Sequence, residues 1–94
     1  MLEIVIDEAG VVHLSGRLDA SQADKADEIL SALKGSTTAD FSRLEYISSA
    51  GIGIILKTYR RLHESGETLR LTNMNKRIRT IFLYAGLDRI LTIE

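Results

Sequence analysis

The apolar residues of this chain switch repeatedly between a two-residue and a helical spacing, and few architectures accept such an alternation. Leu2, Ile4 and Ile6 alternate with Glu3, Val5 and Asp7, the pattern of a half-buried strand. Glu8-Ala9-Gly10 reads as a hairpin turn into a second strand, Val11 to Ser15, with Gly16 to Ala20 as the loop after it. Ala23, Ala26, Ile29, Leu30 and Leu33 then recur at helical spacing. Ser21 and Asp24 resemble a capping box for that helix, and Gly35 is its stop. Thr37 to Phe41 predicts a short, weakly apolar strand. A second helix sets Ile52, Ile55, Leu56, Tyr59 and Leu62 on one face and closes at Ser65-Gly66. Thr68 to Leu71 predicts a fourth strand. Asn75 caps a third helix that turns Ile78, Ile81 and Phe82 inward and ends at Gly86, and Leu87 to Ile93 supplies a last strand.

The order β-β-α-β-α-β-α-β requires right-handed crossovers between its parallel strands. If each crossover steps the same way across the sheet, all the helices fall on one face. The expected fold is therefore an α/β two-layer sandwich: a mixed, mostly parallel sheet, antiparallel only at the first hairpin, with helices mainly on one face. Residues 1–94 are enough for one domain with one modest core.

Composition narrows the chemistry. The chain has no cysteine, which removes disulfides, thiolate metal sites and cysteine nucleophiles, and no metal or other cofactor is expected. No apolar run approaches the roughly 20 residues of a membrane span, and MLEIVIDEAG lacks a signal-like n-region, so a cytoplasmic protein without membrane insertion is expected. A net charge of -1 gives no electrostatic reason to expect nucleic acid.

One segment stands out. In Asp40-Phe41-Ser42-Arg43-Leu44-Glu45-Tyr46-Ile47-Ser48-Ser49-Ala50-Gly51-Ile52-Gly53, two serines sit where an extended stretch gives way to a helix. The first turn of a helix carries unpaired N–H groups and a partial positive charge. A serine there is an ordinary cap, and a phosphate there would meet ready-made donors. Local chemistry alone does not separate the two. The glycines allow close packing on the sheet or close approach of a partner.

The same stretch, DFSRLEYISSAGIGIIL, resembles the signature of STAS domains, the anti-sigma factor antagonist family. That signature is an acidic residue ending a strand, a short linker, then Asp-Ser-Ser/Thr-Gly-Leu-Gly opening a helix. Gly16-Arg17-Leu18-Asp19 is similar to the family's Gly-Glu-Leu-Asp. Asn73 to Ile90, with Ile81-Phe82 and Ala85-Gly86-Leu87, is similar to its C-terminal helix and turn. Ser48 stands at the motif's Asp, Ala50 at its Ser/Thr, and Arg17 at the usual Glu.

The resemblance implies a partner switch. The family's phosphorylated serine maps onto Ser49, with Ser48 as the alternate hydroxyl, and its partner-binding edge onto Asp19, Ser48, Ser49, Ala50, Gly51 and Gly53. The implied partners are an anti-sigma factor that is itself a serine kinase, and a PPM-type phosphatase that resets the switch. A monomer or weak dimer suffices. A second client is compatible with the same resemblance: a non-phosphorylated accessory or scaffold subunit in a lipid-transport ABC system or a signalling assembly.

Enzymes fit the sequence poorly. His63 follows Ser49 by about four helical turns, His13 belongs to the second strand, and the G-x-S-x-G elbow is missing. Ala50-Gly51-Ile52-Gly53 lacks the rest of a P-loop or dinucleotide fingerprint. Lys57, Arg60, Arg61 and Glu64 read as a solvated helix face, with Arg60 and Glu64 spaced to pair. Lys76, Arg77 and Arg79 are less expected, because cations at a helix N-terminus oppose its dipole; an acidic partner surface would explain them.

Overall fold

In the computed structural model, which describes residues 1–94, β1 (Leu2–Ile6) and β2 (Val12–Leu18) form the expected antiparallel hairpin. Asp7 builds its turn by accepting the N–H groups of Ala9 and Val11 on one carboxylate oxygen at 2.9 and 3.0 Å. A 3-10 turn (Ala20–Gln22) leads into α1 (Ala23–Leu30), followed by β3 (Thr37–Ile47), α2 (Ser49–Glu64), β4 (Leu69–Thr72), α3 (Lys76–Tyr84), a second 3-10 turn (Leu87–Arg89) and β5 (Thr92–Ile93). The five strands lie in chain order, β1-β2-β3-β4-β5, and every pair after the hairpin is parallel. This is the mixed sheet of the expected two-layer sandwich.

Burial follows the sheet's two faces. Val12, Leu14 and Leu18 of β2 are buried against the helices, while His13, Ser15 and Arg17 between them face outward. Leu30 of α1, Ile55 and Leu62 of α2, and Ile78 and Phe82 of α3 complete one core with the sheet. Phe82 meets Phe41 of β3 edge to face, ring centres 6.3 Å apart. Thr58, also buried, returns its hydroxyl to the Ile54 carbonyl at 2.9 Å. The apolar stripe of α2 therefore runs through Gly51, Ile55, Thr58 and Leu62, with Ile52, Leu56 and Tyr59 at its margin.

Several expectations change. β2 does not end at Ser15 but continues through Gly16-Arg17-Leu18, so the loop shrinks to little more than Asp19. Gly16 makes this possible: it adopts a φ of 90°, and a Cβ there would run into the Met1 carbonyl. Asp19, not Ser21, caps the first 3-10 turn, accepting the Ser21 N–H. The expected short strand at Thr37 to Phe41 is instead an eleven-residue strand reaching Ile47, which absorbs the supposed linker. The last strand is only Thr92–Ile93, because Leu87–Arg89 winds into a 3-10 turn.

The polar face of α2 is also less solvated than expected. Lys57 pairs with Asp27 of α1 at 2.9 Å, and Arg61 donates to the Leu33 and Leu30 carbonyls at 2.7 and 2.9 Å, closing the C-terminus of α1. Arg60 and Glu64 form no ion pair.

Candidate functional site at the start of α2

β2 and β3 end level with each other, Leu18 opposite Ile47, at the C-terminal edge of the parallel sheet. The chain leaving β2 gives Asp19 and the chain leaving β3 gives Ser48. The Ser48 N–H donates to the Leu18 carbonyl at 3.0 Å, which carries the pairing one step beyond the strands. Sheet geometry thus puts Asp19, Ser48 and Ser49 on one edge.

Ser48 is the N-cap of α2. Its backbone is extended, φ -97° and ψ 174°, its hydroxyl accepts the Gly51 N–H at 3.3 Å, and its carbonyl accepts the Ile52 N–H at 2.9 Å. The motif's Asp would serve the same position, since Asp and Ser are both strong N-caps. Ser48 therefore keeps the architecture and removes the charge. Ser48→Ala is expected to cost about 1 kcal/mol and to lower the melting temperature by about 4–8 °C. Ser48→Asp is expected to melt close to the parent in the same thermal scan, and a drop equal to that of the alanine variant would contradict the capping role.

Ser49 differs. It is the first helical residue, its side chain is exposed, and its hydroxyl has no hydrogen-bond partner. Neither its own N–H nor that of Ala50 finds an acceptor within the chain. An unengaged hydroxyl thus stands beside two unengaged N–H donors at the positive end of a sixteen-residue helix.

Asp19 completes the edge as an anion. The Ser21 hydroxyl, 2.6 Å away, is the main cause that holds its carboxyl below the usual range; the Ser21 N–H and the Arg17 guanidinium act the same way. Arg17 lies 3.8 Å from the carboxylate and 4.3 Å from the centre of the Tyr46 ring, directly across the β2–β3 pair. Sequence reading did not identify Tyr46; its only signal was an aromatic just before the motif.

The glycines divide by role. Gly51 is buried, and a Cβ there would come within 2.6 Å of the Leu18 carbonyl oxygen and 2.9 Å of the Ile47 side chain. It was expected at the partner-binding edge, but it faces the sheet and supports the site from beneath. Gly53 is exposed with open space where a side chain would be, and Ala50 is half-buried.

Both histidines are engaged elsewhere. His13 is held on the open face of the sheet between Asp7 at 2.8 Å and Asp40 at 3.4 Å, five residues short of the end of β2. At about 3.3 Å per residue that is roughly 16 Å from the edge. His63 stacks on Tyr59 near the far end of α2, ring centres 5.6 Å apart. Ser48 and Ser49 have no imidazole beside them to act as a base. The edge presents a hydroxyl, two N–H donors and a carboxylate.

The comparisons agree with this architecture. The anti-sigma-B factor antagonist of Staphylococcus epidermidis is 23% identical over 95 residues, spanning 97% of this chain and 88% of the relative. An anti-sigma factor antagonist from Mycobacterium paratuberculosis superposes with a TM-score of 0.82 at 20% identity, covering 99% of this chain and 83% of that one. The Bacillus cell fate determinant SpoIIAA in its phosphorylated form gives 0.71 at 20% identity, covering 100% and 91%. At these identities the structures establish the fold. The profile of the family described as "Mlab, STAS domain" matches residues 6–92, and on that near-complete match the chain belongs to the STAS domain family.

Proposed function

We propose that this chain is an anti-sigma factor antagonist working as a partner switch. Its unmodified form binds an anti-sigma factor serine kinase through Asp19, Ser48, Ser49, Ala50 and Gly53, with Gly51 setting the helix beneath them, and frees the sigma factor. Phosphorylation of Ser49 separates the complex, and a PPM-type phosphatase restores it. The chain acts in the cytoplasm as a monomer or weak dimer. The observation that carries this reading is the contrast between the two serines: Ser48 is committed as the cap, whereas Ser49 is exposed and free.

A phosphate on Ser49 adds about -1.5 to -2 charges at pH 7. The two N–H donors and the helix dipole tolerate it in the free protein. Inside a closed interface beside the Asp19 carboxylate it meets like charge and loses its hydration. Incubation with the cognate kinase and ATP, followed by mass spectrometry, is expected to place the phosphate on Ser49. Phosphate confined to Ser48 or Ser42 refutes the assignment.

A second reading draws on Ser48 and Ala50, which remove the acid and the hydroxyl flanking this serine in the family motif. The same edge then docks a non-kinase client, as an accessory subunit of a lipid-transport ABC system or a scaffold, without phosphorylation. Tight client binding that Ser49→Asp leaves unchanged selects that reading.

A further inference from the structure

A wide, shallow groove of about 950 Å³ runs along α3, lined by Ile81 and Tyr84 beside Lys76 and Arg77. Asn75 fixes the wall: it caps α3 through the Ile78 N–H at 2.9 Å and donates its amide to the Leu44 carbonyl of β3 at 3.1 Å. Glu45 lines the opposite side. Tyr84 is 90% exposed and Leu83 44%, so the helix leaves apolar surface uncovered next to the cations.

The charges are placed against the helix's own interest. The first turn of α3 contains no acid, and Lys76, Arg77 and Arg79 make no ion pair anywhere in the molecule. Cations at this end oppose the dipole and weaken the helix. A charge arrangement that costs stability, beside exposed aromatic surface, is the profile of a recognition surface.

We propose that the α3 groove docks an acidic segment of a partner protein, which lays a leucine or aromatic side chain on Ile81 and Tyr84 and sets its carboxylates against Lys76 and Arg77. Complementary charge selects an acidic occupant. Glu45 on the far wall confines the acids to the α3 side, so the occupant is a short segment with one apolar anchor and not a uniform polyanion. This docking is separate from the Ser49 switch and adds a second contact to whatever partner bears the segment.

The test is selection of a displayed random peptide library on the full chain, with affinities then measured by fluorescence anisotropy. Selected peptides are expected to carry several Asp or Glu residues around one large apolar residue. Their affinity should drop about tenfold or more in K76E/R77E and fall with added salt. The same variant should melt higher than the parent, since acids suit the first turn of a helix, so loss of binding is not loss of fold. Tyr84→Ala should weaken binding with little change in melting, and Ser49→Ala should leave peptide binding unchanged. Selection of no peptide, of neutral or basic peptides, or of acidic peptides that bind K76E/R77E equally well overturns the proposal. Self-association, or binding to phosphatidylserine vesicles, that K76E/R77E abolishes also overturns it, by giving the groove a different occupant.

Discussion

Ser49→Asp is expected to reduce affinity for the kinase partner by about a hundredfold or more, while Ser49→Ala binds like the parent and accepts no phosphate. The hundredfold loss corresponds to about 3 kcal/mol of coupling, and two effects supply it. Burying an uncompensated carboxylate in an interface costs several kcal/mol. The Asp19 carboxylate on the same edge adds repulsion: it is ionised at neutral pH like any ordinary carboxylate, and Ser21 and Arg17 favour that charged form further. The free protein responds in the opposite sense. An acid at the first position of α2 suits the helix dipole, so Ser49→Asp should melt at or slightly above the parent. Calorimetric titration and a thermal scan on one preparation therefore separate a switch from a folding defect. Adding Asp19→Asn should recover part of the lost affinity, the part owed to charge repulsion. Equal affinity of Ser49→Asp and parent refutes the switch.

The helices and the hairpin were legible because their signals are local. Asn75 capping α3, the Asp7 turn region and the 3.6-residue stripes all lie within one turn or one window of sequence. β3 was not legible beyond Phe41, and the reason is geometric. Between the pairs His13–Asp40 and Ser15–Arg43 the strand gains a residue, and between Gly16–Leu44 and Arg17–Tyr46 it gains another. Each bulge shifts the alternation by one. The buried residues Phe41, Leu44 and Ile47 thus fall three apart, a spacing that matches neither the strand nor the helix pattern. The end of the chain failed because Leu87 is buried from a 3-10 turn and Leu91 from the bend that follows it, and only Thr92 and Ile93 pair with β4.

At the site, sequence showed a serine pair at a helix start, and the family resemblance chose Ser49. What was hidden is tertiary. Which serine caps depends on where β3 stops, and that depends on the two bulges. The Ser21 cap failed likewise, because β2 extends to Leu18 and leaves Asp19 as the first residue free to cap. Arg17 on Tyr46 required the β2–β3 register, which periodicity does not supply.

Two glycines two residues apart in α2 should respond to alanine with opposite signs. Removing a glycine from a helix interior is worth about 1 kcal/mol in backbone terms at either position. At Gly53 nothing opposes this, because a Cβ there meets open space, so Gly53→Ala should raise the melting temperature by about 4–8 °C. At Gly51 the new methyl would lie 2.6 Å from the Leu18 carbonyl oxygen, 2.7 Å from its side chain and 2.9 Å from that of Ile47. One obstacle is backbone of β2, which cannot rotate aside, so the start of α2 must lift off the sheet. Overpacking of this kind costs about 3 kcal/mol at the upper end, and the net loss for Gly51→Ala is about 2 kcal/mol, or roughly 8–16 °C of melting temperature. The lift also strains the 3.0 Å bond from the Ser48 N–H to Leu18, the link that holds Ser49 at the sheet edge. Partner affinity should therefore fall in Gly51→Ala through displacement of the edge. In Gly53→Ala it should fall without any loss of stability, because the methyl occupies surface proposed to meet the partner. A Gly53→Ala variant that melts higher and binds equally well would remove Gly53 from that surface.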